Sequence, residues 1–219
     1  MKNMIFTIGQ GRKSIEKFLT LLSEHEINLL VDVRSIPYSK FSDFRRGKLE
    51  KFLKEKRIKY LYMGDRLGGE NIRDVYCRQN GSLYDVLDKD SFREGLRTLW
   101  KLRKDYRVCL FCAEEDPLRC HRFLCIGAIL SLRGNIEVEN IQINRTENFE
   151  ECTTRLMTEE GHRVLAPAKE KEKEKEIEKV LWKRLHHIYL NWNPRRKKHK
   201  IKESEDEKEE SNNIEGDYF

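Results

Sequence analysis

The sequence predicts an α/β fold, a mainly parallel sheet with helices on both faces in three layers, followed by a charged C-terminal tail that is part helical and part disordered. Two observations carry the prediction. Apolar runs of strand length recur at 4–8, 29–33, 60–63, 108–111 and 136–143. Segments with apolar residues at helical spacing lie between them, so strands and helices alternate along the chain. A third observation places the boundary: charge concentrates in the last third. The organisation expected is an α/β domain over 1–146, a helical extension over 147–192 and a charged, disordered tail over 193–219.

The first strand ends at the turn Gly9-Gln10-Gly11, and Ser14 then caps a helix carrying Ile15, Phe18, Leu19 and Leu22. The second strand runs into Asp32-Val33-Arg34-Ser35-Ile36-Pro37. A helix over 48–57 buries Leu49, Phe52 and Leu53, and a loop over 64–69 follows the third strand. Residues 70–90 read as a polar excursion with a short helical patch. Ser91 is expected to cap a helix holding Phe92, Leu96, Leu99, Trp100 and Leu102. The strand over 108–111 then leads to Asp116-Pro117, an N-cap with proline at the first helical position, and one helix over 118–132 closed by Gly134. Residues 147–160 form one more helix. The run K-E-K-E-K-E-K-E-I-E-K over 169–179 leads into an apolar helical half with Trp182, Tyr189 and Trp192. A basic block over 194–202 and an acidic block over 203–210 complete the tail.

Net charge is +6 with an isoelectric point near 8.9, which permits contact with nucleic acid or another polyanion without demanding it. The six cysteines follow no small-secreted-domain pattern, so a reduced, cytoplasmic interior is expected. No signal-like segment opens the chain and no apolar run approaches the ~20 residues of a membrane span, so no membrane partner is expected.

The chemistry centres on Arg107 to Arg122, R-V-C-L-F-C-A-E-E-D-P-L-R-C-H-R. Cys112 falls where a strand stops, facing the start of a helix whose N–H groups favour a thiolate or an anion. It reads either as a nucleophile or as a small buried hydrophobe closing a core strand. Cys120 reads as a resolving or redox partner, or as a core residue on its helix face. His121 and Glu114 are candidates for proton transfer. Asp32 and Arg34 end a buried strand and either serve a substrate or pair with each other. Arg34 with Ser35, Ser39 and Lys40 makes an anion cradle, to which Arg119 and Arg122 add charge. Cys109, Cys112, Cys120 and His121 spell a zinc-like set, but alternation along a strand sends 109 and 112 to opposite faces. No metal and no cofactor are therefore expected.

Four stretches resemble the DUF488 family: T-I-G at 7–9, V-D-V-R-S-I-P-Y-S at 31–39, L-G-G at 67–69 and C-A-E-E-D-P-L-R-C-H-R at 112–122. The resemblance spans about residues 4–143. Where the family reads T-I-G-H-S, this chain has Gln10 and Gly11. A more distant likeness links the Cys112 loop to rhodanese-type and cysteine-phosphatase folds, though its three acids disfavour phosphatase chemistry. The expected function is a cysteine-dependent enzyme acting on an anionic substrate (a nucleotide, nucleic acid or sulfur carrier), with a non-catalytic nucleic-acid-associated module as the alternative.

Overall fold

The computed structural model describes residues 3–161 and 170–191. Among them, β1 (Met4–Gly9), β2 (Leu29–Asp32), β3 (Lys59–Tyr62), β4 (Val108–Cys112), β5 (Glu137–Ile141) and β6 (Thr146–Asn148) form one sheet in the order β3-β2-β4-β1-β5-β6. Every neighbouring pair is parallel except β5 with β6. The sixth strand is an addition to those read from the sequence.

Side-chain alternation divides the core in two. Phe6, Ile8, Leu30, Cys109 and Phe111 face α1 (Ile15–Glu24) and α2 (Arg46–Glu55). The intervening Ile5, Leu29, Val31, Val108, Leu110 and Cys112 face the opposite layer, so helices cover both faces as expected. The start of α1 follows from Ser14, whose hydroxyl accepts from the Lys17 amide at 3.2 Å. Its residues Ile15, Phe18, Leu19 and Leu22 are buried, and Phe18 meets Phe44 and Phe111 edge-on. Burying each such side chain contributes about 1.5–3 kcal/mol.

The second layer differs more from expectation. Residues 64–69 are mostly helical, as α3 (Gly64–Leu67) and the start of α4 (Gly69–Tyr76). The polar stretch over 70–90 buries Ile72, Val75, Tyr76, Leu83 and Val86, so its few apolar residues all point inward. The next helix, α5 (Asp90–Leu102), has Lys89 at its N-cap position without a side-chain cap bond, two residues before the expected Ser91 cap. The single helix expected over 118–132 is broken: a 3₁₀ turn over Pro117–Arg119, an extended Cys120, a π-helical turn over Arg122–Gly127, then α6 (Ala128–Leu132). Asp116 does cap the first turn, accepting from the Leu118 amide at 3.0 Å. The left-handed position after α6 is taken by Asn135 (φ 49) rather than Gly134.

The charged C-terminal stretch shares this core. The capping box of Asn148 and Glu151 starts α7 (Phe149–Glu159). From α8 (Glu170–Leu190), Ile177, Val180, Leu181, Leu185 and Tyr189 join the same apolar cluster as α4 and β4. The Glu–Lys repeat stays on the solvent side, as its charge pattern requires. Trp192 and the basic and acidic blocks lie outside the described residues. No helix among the described residues is long and apolar enough to cross a membrane.

One ionic knot ties α7 to the loop after β4. Arg155 donates to Glu147 at 2.9 and 3.2 Å and to Asp116 at 3.1 Å, and Arg145 pairs with Glu147 at 2.7 Å. Burial pushes the Glu147 carboxyl up, but Arg155 and then Arg145 outweigh it and hold it below the ordinary range. A folded value below the unfolded one gives stability above the unfolded value, near 4.3, that is lost as pH falls through the folded value. Urea denaturation at stepped pH should therefore fall less steeply below about pH 4.3 in Arg155→Met than in the natural chain. Equal slopes would show that the knot contributes nothing.

Candidate functional site

Strands β2, β4 and β1 are adjacent and parallel, so Asp32, Cys112 and Gly9 end at one edge of the sheet. Ligands of such sheets bind beyond the carboxyl ends of strands. Here the β1 and β4 loops continue to pair, with the Gln10 amide donating to Cys112 O at 2.8 Å and Gly11 to Ala113 O at 3.0 Å. A Cβ at Gly9 would collide with the Glu114 carbonyl, and Gly11 adopts φ 56. The Gly9-Gln10-Gly11 turn thus lets the two loops pack closely.

The break at Cys120 builds the site. With φ −135 and ψ 135, Cys120 is extended between two helical turns, and its carbonyl accepts from the Phe123 and Leu124 amides at 3.1 and 3.0 Å. The turn places Cys120 and His121 against Cys112. The Cys112 and Cys120 sulfurs lie 3.0 and 3.2 Å from Glu114 Oε2, and each is 3.9 Å from His121 Nδ1. His121 Nε2 is 3.1 Å from the Val33 carbonyl, which makes Nε2 the protonated nitrogen and turns Nδ1 to the sulfurs. Both cysteines are buried, His121 is half-buried, and Glu114 is exposed as a residue while its carboxylate turns in. Cys109 faces the other side of the sheet, so the four-residue zinc set does not form.

Electrostatically the two sulfurs are one unit. A hydrogen bond to Cys120, then burial, pushes the Cys112 thiol well up. Burial would raise Cys120 too, but the hydrogen bond from Cys112, the charge of Arg122 and His121 bring it well down. Burial, then Cys120, raises the Glu114 carboxyl. Burial lowers His121, but Cys120 and Glu114 outweigh it and raise the imidazole. Of the two thiols, Cys120 is thus the one whose ionised form its surroundings favour.

The remaining residues singled out from the sequence are engaged within the protein. Arg34 Nε donates to Asp32 at 2.9 and 3.1 Å and Nη1 to Phe44 O at 2.9 Å, with both residues buried. The Tyr60 hydroxyl donates to the same carboxylate at 2.7 Å, and burial, then Asp32, pushes that phenol up. Arg122 is buried and donates to Glu114 O, Glu115 O and Thr7 Oγ1 at 2.6, 2.8 and 3.3 Å. Ser35 Oγ accepts from the Glu70 amide at 2.9 Å at the start of α4, and Ser39 Oγ accepts from Gln10 Nε2 at 2.8 Å. Arg119 is exposed and lies 4.0 Å from Asp116.

Three residues take roles that the sequence reading did not assign to them. Tyr189 reaches the site from α8: a Cβ on Gly69 would stand 2.9 Å from its hydroxyl and 3.4 Å from His121 Nδ1. Gly69 is thus the close approach that lets α4 and α8 meet over His121. Lys13 is buried, donating to Gly9 O at 3.0 Å and pairing with Glu115 at 3.4 Å. Burial lowers its pKa against the pull of Glu115. No periodicity announces any of the three.

A family model described as domain of unknown function DUF488 matches residues 14–129, more than half of the chain. The chain belongs to the DUF488 family. The match takes in β2, β4 and the whole cysteine cluster, while Thr7-Ile8-Gly9 lies before it. No curated protein and no solved structure matches the chain.

The Asp32–Arg34 pair is expected to be structural. Removing one partner leaves a buried charge uncompensated, so Asp32→Ala and Arg34→Met should each cost about 3–5 kcal/mol in chemical denaturation. The double variant should cost clearly less than the two losses added together. Additive losses would mean that the two residues do not act on each other.

Proposed function

We propose that this DUF488 member is a cysteine-dependent enzyme acting on an anionic substrate, with Cys112, Cys120, His121 and Glu114 as its reaction centre. The observation that carries the reading is the convergence of two sulfurs on one carboxylate oxygen and one imidazole nitrogen, at the sheet edge where the β1, β2 and β4 loops meet. One sulfur attacks, with its proton passing to Glu114 or His121 in hydrogen-bond reach. The attack expels the substrate's leaving group, which takes up that proton, and water or an acceptor then attacks the group held on sulfur and frees the thiol, as in a thiol-dependent hydrolase or transferase. With Arg34 and Arg122 engaged internally, the positive charge for an anion comes from the rim, where Arg119 is exposed. Iodoacetamide labelling of metal-free protein, read by peptide mass, tests the thiol pair. Cys112 or Cys120 should modify faster than a model thiol at pH 7, and Cys112→Ser with Cys120→Ser together should remove that fast phase. Labelling of neither residue above the model rate would sink the reading.

One feature favours the nucleic-acid alternative. Around the β2–α2 connection cations and rings interleave: Lys40 lies 4.9 Å from the Phe41 ring, Arg45 4.6 Å from Tyr38, and Arg46 5.8 Å from both Tyr60 and Tyr62. Phe41 is 39% exposed. A basic track with stacking rings is the chemistry of single-strand binding. On this reading a single-stranded oligonucleotide binds with a steep salt dependence that survives Cys112→Ser. Phe41→Ala should cost about 1–3 kcal/mol of that affinity. A salt-independent affinity, or one lost with Cys112, would exclude it.

A further inference from the structure

Strand alternation argues against zinc only if Cys109 must take part. Without it, the Sγ atoms of Cys112 and Cys120 and a ring nitrogen of His121 all lie within 4.8 Å of one another. We propose that these three residues bind a zinc-class divalent cation, with a fourth position left open beside Glu114. The proposal goes beyond the thiol reading and does not depend on it.

Four observations support it. The first is size: zinc–sulfur bonds of about 2.3 Å and zinc–nitrogen bonds of about 2.0–2.1 Å set tetrahedral edges of roughly 3.5–3.8 Å. The 3.9 Å from His121 Nδ1 to each sulfur needs to close by only a few tenths. The second is donor type, since two thiolates and an imidazole match a borderline-soft cation, and Cys₂His with one open position is a known catalytic zinc arrangement.

The third is orientation. His121 Nε2 is directed at the Val33 carbonyl, the outer contact that fixes the tautomer and aims a metal-binding imidazole. The fourth is charge. Two thiolates and the Glu114 carboxylate would gather three negative charges around one buried guanidinium, that of Arg122. A dication neutralises what remains, and the two thiol protons leave to solvent as it binds. Glu114 Oε2, lying against both sulfurs on the exposed side, is placed beside any water held at the fourth position.

The test uses the full chain, stripped with a chelator and titrated with zinc against a chromophoric competitor, then with cobalt for its thiolate absorption band. One equivalent should bind, with a cobalt–thiolate band of tetrahedral type. Cys120→Ser and His121→Ala should each weaken binding beyond the roughly 10–100-fold cost of losing an outer contact. Cys109→Ser, on the other face, should leave it unchanged, and matched unfolding curves establish that each variant folds. Absence of stoichiometric binding overturns the proposal, as does equal weakening by Cys109→Ser and Cys120→Ser. The labelling separates this from the thiol reading. Fast modification of Cys112 or Cys120 in a chain that binds no zinc removes the metal and keeps the nucleophile. Zinc binding by a chain whose stripped thiols are inert does the reverse.

Discussion

A single buried guanidinium holds the carboxyl end of the sheet in shape. Arg122 donates to the carbonyls of Glu114 and Glu115 and to the Thr7 hydroxyl, tying the loop after β4 to β1 and to the turn that follows. Backbone carbonyls turned in from a loop must find donors, and here one side chain supplies two of them. Burying the charge is costly, yet Cys120, Cys112 and Glu114 lie close enough to offset it and keep the group ionised. The same contacts curl the loop so that the Glu114 carboxylate meets both sulfurs. Arg122 is thus a scaffold for the cluster.

The second constraint is the break at Cys120. A continuous helix from Pro117 would carry Cys120 around with its own turn, at a position set by helical period alone. The extended Cys120 resets that period, and the π-helical turn over Arg122–Gly127 takes up the difference before α6 begins. π-turns are irregular and cluster at functional sites. Gly127 allows it to pack tightly, since a Cβ there would stand 3.2 Å from Arg122 O and 3.3 Å from Val138. The departure from regular helix is what brings Cys120 and His121 to Cys112.

Much of the fold was legible because period two and period 3.6 leave different marks on buried segments. Ser14 and Asp116 cap where their side chains indicated, and alternation correctly sent Cys109 away from Cys112. The parts that escaped depend on distance in space. Nothing local distinguishes an engaged arginine from an available one, so Arg34 and Arg122 read as anion binders until their partners Asp32, Phe44, Glu114 and Glu115 are placed. Tyr189 is 68 residues beyond His121, in a helix half whose apolar residues indicate docking but not where, and only the packing of α8 on α4 brings it over the site. A break at one residue, Cys120, leaves no mark that hydrophobic period detects.

The topology explains why the cluster forms where it does. After β1 the chain crosses through α1 on one face to β2, and after β4 it crosses through α6 on the other face to β5. β1 and β4 are neighbours, so the chain diverges between them, the position where open α/β sheets leave a crevice for ligands. In this protein the divergence is partly closed, because Gln10 and Gly11 extend the pairing to Cys112 and Ala113. That zipper confines the cysteine cluster to the α6 face, between the Val33 carbonyl and the roof of Gly69 and Tyr189. The approach to the sulfurs is then governed by Glu114, the one member of the cluster that is exposed as a residue. A negatively charged group could reach the sulfurs only with that carboxylate protonated or turned aside, because like charges at contact repel strongly away from bulk water.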